Sequence, residues 1–155
     1  MRPATPPVSL GAAALRGPVA CIDLETTGGM AAHHRIIEVG IVLLEGGEVV
    51  EQWSSLVNPG QRIPPLIENF TGISNEMVAG APSFAELAEE LHARLAGCLF
   101  VAHNARFDYG FLKNEFERHG LRYNARTLCT VRLSRKLYPE HNRHSLDALI
   151  ERHKL

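Results

Sequence analysis

The 155-residue chain carries 16 Lys and Arg against 17 Asp and Glu, a formal net charge of −1, and is 45% hydrophobic and 21% charged. That is the composition of one globular domain, and a chain of this length buries about 70% of its unfolded surface. The near-zero charge argues against a protein that coats nucleic acid by bulk electrostatics, and no apolar run approaches the ~20 residues that span a bilayer. Cys21, Cys98 and Cys129 show no C-x-x-C spacing, so neither a disulfide framework nor a zinc ribbon is supported. A reducing, cytoplasmic setting is expected.

Residues 1–17 hold three prolines in the first seven positions and only a short Ala/Leu stretch, which reads as a flexible N-terminal arm rather than a secretory signal. One domain is expected over 18–155. Val19 to Leu24 is apolar on both faces, the pattern of an interior strand. Ile36 to Leu44 and Val49 to Val57 flank the turn Glu45-Gly46-Gly47-Glu48 and predict an antiparallel hairpin. Short helical pieces follow over Ile63 to Phe70 and Asn75 to Ala79. Ser83 with Glu86 three residues on forms a capping box, and Phe84, Leu87, Ala88, Leu91 and Leu95 then recur at helical spacing. Cys98 to Ala102 predicts a buried strand, and Arg106 to His119 a helix with core residues Phe111, Leu112 and Phe116. A short strand over Thr127 to Cys129 and helices over Thr130 to Leu137 and Ser145 to Arg152 complete an α/β chain with a mixed sheet.

Asp23 and Glu25 lie two apart, so strand alternation puts them on one face at the C-terminal end of the first strand. Such a pair is either a solvated strand end or part of a cation site, because crowded carboxylates repel unless a cation sits between them. Asp108 supplies a third acid, in the first turn of the helix that follows the strand Cys98 to Ala102. Alone it reads as a charge favoured by the helix dipole. If the two strands are parallel neighbours it faces Asp23, and three hard oxygen donors suit Mg²⁺ or Mn²⁺.

Asp23-Leu24-Glu25-Thr26-Thr27-Gly28 together with His103-Asn104-Ala105-Arg106-Phe107-Asp108 resembles the first two motifs of the DnaQ-like 3′→5′ exonucleases, which include the proofreading ε subunit of bacterial DNA polymerase III. Asn58-Pro59, Phe70-Thr71-Gly72-Ile73, Pro82-Ser83-Phe84 and Ser145-Leu146-Asp147-Ala148-Leu149 are similar to that family's connecting text. The resemblance implies an RNase H-like mixed β-sheet flanked by helices and two divalent ions, Mg²⁺ or Mn²⁺. It implies that Asp23, Glu25 and Asp108 are catalytic metal ligands, and that the substrate is a single-stranded or frayed DNA 3′ end that yields nucleoside monophosphates. By the same likeness Thr26 and Thr27 contact the terminal nucleotide, and Phe70, Thr71, His103, Asn104 and Phe107 line its groove. Phe70 and Phe107 read equally well as core aromatics.

The family's third motif is a histidine, the general base, followed five positions later by an aspartate. Here His33 leads to Glu38, His34 to Val39, His92 to Gly97, His119 to Asn124, His141 to Leu146 and His144 to Leu149. Only His103 meets an aspartate, Asp108, inside the second motif. No general base is therefore expected within this sequence. The domain is expected to be incomplete at its C-terminus, its last helix truncated, and weakly active or inactive. Arg126-Thr127 stands where proofreading subunits often carry Asp-Thr, and is similar to exonuclease domains fused to UvrC-type GIY-YIG nucleases. The expected partners are thus a DNA 3′ end and a DNA polymerase or a repair nuclease domain, with no membrane. The alternative function is a catalytically silent module that uses the fold to bind nucleic acid or protein.

Overall fold

The computed structural model describes residues 17–155. The arm expected over 1–17 therefore lies, apart from Gly17, outside the described residues. Strand β1 (Val19–Thr26) pairs antiparallel with β2 (Ile36–Glu45), and β2 pairs antiparallel with β3 (Glu48–Leu56). The β2–β3 hairpin turns at Gly46 and Gly47, with φ of 59° and 83°, the left-handed values a tight hairpin turn needs. Helices α1 (Pro65–Thr71), α2 (Asn75–Ala79) and α3 (Phe84–Leu95) precede β4 (Leu99–Ala102). Helix α4 (Ala105–Arg118), β5 (Thr127–Cys129), α5 (Thr130–Leu137) and α6 (Leu146–His153) complete the order. The sheet runs β3-β2-β1-β4-β5, with β1, β4 and β5 mutually parallel. This is the mixed, helix-flanked sheet that the alternation of elements predicts.

One difference has a local cause. The first helix starts at Pro65 rather than Ile63, because Pro64 is extended and Ile63 is needed elsewhere. Ile63 is fully buried against Ile37, Ile73 and Val78, and its backbone is held by the Asn75 side chain.

The main core lies on one face of the sheet. Ala20, Ile22 and Leu24 of β1 pack with Val39 and Ile41 of β2 under the apolar stripes of α3 and α4. Phe84 and Phe116 meet edge to face at 5.4 Å, joining the two helices. Alternation then sends Val19, Cys21, Asp23 and Glu25 to the other face, where Val19, Leu99 and Val101 form a smaller apolar cluster. No helix among the described residues is long and apolar enough to cross a membrane.

Candidate active site

Strand β1 outruns its parallel neighbour. The β1–β4 ladder ends at the pair Cys21–Val101, so the last residues of β1 stand beside the N-terminus of α4 instead of another strand. Asp108, in the first turn of α4, fills that gap. It is 5% exposed, and its Oδ1 accepts the Leu24 backbone N–H at 3.2 Å. Asp23 is exposed and Glu25 half-buried on the adjoining part of β1.

The electrostatics record how closely these acids couple. Burial, then the charge of Asp23, pushes the Asp108 carboxyl up to about 7, against the lowering effect of the Leu24 N–H. Glu25 is also raised, by burial, then Asp23, then Glu38. Glu38 is the direct cross-strand partner of Glu25 in the β1–β2 ladder, where opposed like charges are unfavourable. The sequence reading missed it, because that register depends on pairing across an irregularity between Glu25 and Thr26.

Among the described residues no three His, Cys, Asp or Glu side chains stand close enough together to ligate one ion. The expectation that Asp23, Glu25 and Asp108 already share one is corrected on this point. Asp108 Oδ1 is turned onto the Leu24 N–H. The donor chemistry still fits a hard divalent cation: Asp23, Glu25, Glu38 and Asp108 gather at one strand end, and Asp108 is raised to about 7 by burial and then by Asp23.

The loop after β1 is tightly built. Thr26 Oγ1 donates to the Gly28 carbonyl at 2.7 Å. Thr27 is 1% exposed, and its Oγ1 donates to Gln61 Oε1 and accepts the Arg35 N–H. Both hydroxyls are thus engaged within the fold. Gly28 packs against the His34 ring, which a Cβ would meet at 2.6 Å. A cleft of about 300 Å³ opens between this loop and α4, lined by Gly29, Ala31, Asn104, Arg106, Phe107 and Phe111.

The remaining expected contacts divide. Asn104 is exposed, with φ of 81°, and turns the chain from β4 into α4. Phe107 is half-buried and packs on Phe111 with ring centroids 4.7 Å apart, so it belongs to the core and the cleft wall at once. Phe70 is 85% exposed at the end of α1, free to stack and not a core aromatic. The Thr71 hydroxyl bonds to the Ile67 carbonyl and the Ile73 N–H, closing that helix. His103 is tied at both ring nitrogens, Nδ1 to Thr130 Oγ1 at 2.9 Å and Nε2 to the His144 carbonyl at 2.8 Å. That ring braces α5 and the loop before α6.

A family model, RNase_T, described as exonuclease, matches residues 20–155. The chain belongs to the DnaQ-like exonuclease family. The 3′-5′ exonuclease DinG of Bacillus subtilis (strain 168) is 41% identical over 132 residues, 84% of this chain and 14% of that protein. A PolC-type DNA polymerase III of Lacticaseibacillus paracasei (strain ATCC 334) is 37% identical over 134 residues, 86% of this chain and 9% of that protein. The chain thus spans only a small part of the curated relatives it matches. A solved exonuclease X in complex with 5′ overhanging duplex DNA superposes with a TM-score of 0.70 at 30% identity, over 88% of this chain and 74% of that one. Product-bound exonuclease I shares the fold alone, with a TM-score of 0.72 at 18% identity over 79% of this chain and 32% of that one. This DnaQ-like domain is of the exonuclease kind.

Proposed function

We propose that this DnaQ-like domain hydrolyses the 3′-terminal phosphodiester of single-stranded or frayed DNA, releasing nucleoside monophosphates, with Mg²⁺ or Mn²⁺ held by Asp23, Glu25 and Asp108. The observation that carries the reading is the electrostatic coupling of those acids where β1 overhangs β4. A bound divalent ion supplies a water of lowered pKa and a counter-charge for the leaving 3′ oxygen. The chain's own residues do the rest. Asp23 and Glu25 present oxygen donors from a rigid central strand, and Asp108 is fixed by the Leu24 N–H. The backbone of Thr26 to Gly29 and the cleft beside Phe107 receive the terminal nucleotide, with Asn104 at the cleft's edge. Phe70 offers an aromatic face for the next base.

Within these 155 residues no histidine lies five positions before an aspartate outside the second motif, and loss of a general base costs about 10²–10⁴-fold. The expected result with a 3′-labelled single strand and Mn²⁺ is therefore slow release of mononucleotides, abolished by Asp23→Ala. Internal cleavage, or release that survives Asp23→Ala, would sink the proposal. Tight strand binding with no Asp23-dependent hydrolysis at all would favour the silent binding module. Similarity to the PolC-type protein makes a DNA polymerase the fitting partner. Three free cysteines fit a cytoplasmic setting.

A further inference from the structure

The charge of the chain is unevenly spread. Residues 120–155 hold eight Lys or Arg against three acids, so the near-zero total conceals a basic C-terminal stretch. Part of that excess gathers around two adjoining clefts beyond the carboxylate site. The larger, about 560 Å³, is bounded by Arg106 and Tyr109 of α4, Thr127 and Cys129 of β5 and Arg132 of α5. The second, about 400 Å³, continues from Thr127, Cys129 and Arg132 to Leu133 and Lys136. No acidic side chain lines either cleft. Arg132, Arg135 and Lys136 fall at i, i+3 and i+4 on α5 and so share one face. Among the described residues none of these cations, nor Arg106, takes part in an ion pair.

Unpaired cations around a cleft with no acid of its own call for a polyanion, and position says which. Asn104 and Arg106 line both the cleft beside Phe107, which borders the loop after β1, and the larger basic cleft, so the two adjoin across the N-terminus of α4. We propose that Arg106, Arg132, Arg135 and Lys136 form a track for the sugar-phosphate backbone of the substrate strand, inward from its 3′ end. The proposal rests on the exonuclease reading for its choice of polyanion. The track holds phosphates and reads no bases, so its contribution is independent of sequence and sensitive to salt.

The test measures binding of a labelled oligothymidylate of about 16 nucleotides, in EDTA to prevent hydrolysis, as a function of salt. Each phosphate contact on a single strand contributes about −0.7 to the slope of log K against log[salt], and so roughly 5-fold in affinity at 0.1 M. Arg132→Gln should lower the slope magnitude by about 0.7, and R132Q/K136Q by about 1.4 with a roughly 25-fold loss of affinity. A dinucleotide, with a single internucleotide phosphate, should lose less affinity in R132Q/K136Q than the longer strand does. Arg122→Gln removes the same charge from the exposed turn after α4 and should change neither quantity. Unchanged melting temperatures will show that the variants are folded. An unaltered slope in R132Q/K136Q would overturn the proposal and leave the patch to an acidic protein surface. Asp23→Ala separates the two readings: it tests hydrolysis and should leave the salt slope in place.

Discussion

Asp108 is a buried acid whose ordinary ionisation the fold resists. Burial first, and Asp23 second, push its carboxyl up to about 7, whereas an unfolded aspartate titrates near 3.9. The folded chain thus binds this proton more tightly than the unfolded one. The resulting stabilisation is fully present below about pH 4 and is lost as pH rises through about 7. Asp108→Asn keeps an oxygen for the Leu24 N–H and removes the charge. In EDTA at pH 8 the variant should be more stable than the parent by about 1–3 kcal/mol, and at pH 5 by only about a third of that. Urea unfolding at the two pH values reads this directly, and a difference that ignores pH would show that Asp108 is not the group under strain. Asp23 and Glu25 are legible in the sequence because strand alternation alone fixes their shared face. Glu38 is not, because its place opposite Glu25 is set by hairpin pairing that no local pattern records.

At the scale of elements, α4 joins the acids to the loop that borders them. Residues 108, 111, 112, 115 and 116 lie on its buried face, and the sequence reading recognised the aromatic and aliphatic members of that stripe. Glu115 is the one it passed over. Its carboxylate, 1% exposed, accepts Arg35 Nε and Nη2 at 2.5 and 2.9 Å and Arg118 Nη1 at 2.6 Å. Arg118 Nη2 also donates to the carbonyls of Ala31 and Ala32. The network therefore clamps both the start of β2 and the loop that walls the cleft beside Phe107. The only sequence signal is a charge set in an apolar stripe, and the partner Arg35, 80 residues away, carries none. Removing one partner of a buried ion pair costs about 3–5 kcal/mol. Because both arginines are partly exposed, Glu115→Ala should cost nearer 2–4 kcal/mol. A urea midpoint that falls by that amount with an unchanged slope would match a clamp. A loss under ~0.5 kcal/mol would mean that the arginines are satisfied by water.

At the scale of the molecule, the same strand and helix build both the core and the site. β1 is central in the sheet and carries Asp23 and Glu25, while α4 carries Asp108 beside Phe111, Leu112 and Phe116 of the main core. An ion held by these acids cannot survive global unfolding, so binding must appear as stability. At a free concentration one hundred times its Kd a single ion adds about 2.7 kcal/mol. In a domain of this size each kcal/mol moves Tm by roughly 2–4 °C, so Mn²⁺ should raise Tm by roughly 5–11 °C. The rise should be larger at pH 8 than at pH 6, because at the lower pH the ion must first displace the proton that Asp108 holds. Asp23→Ala should remove the rise and its pH dependence together. Arg132→Gln, on the basic track, should leave both intact. A parent protein that shows no rise, or an Asp23→Ala variant that shows the full one, would place the ion elsewhere and detach the carboxylates from the chemistry proposed for them.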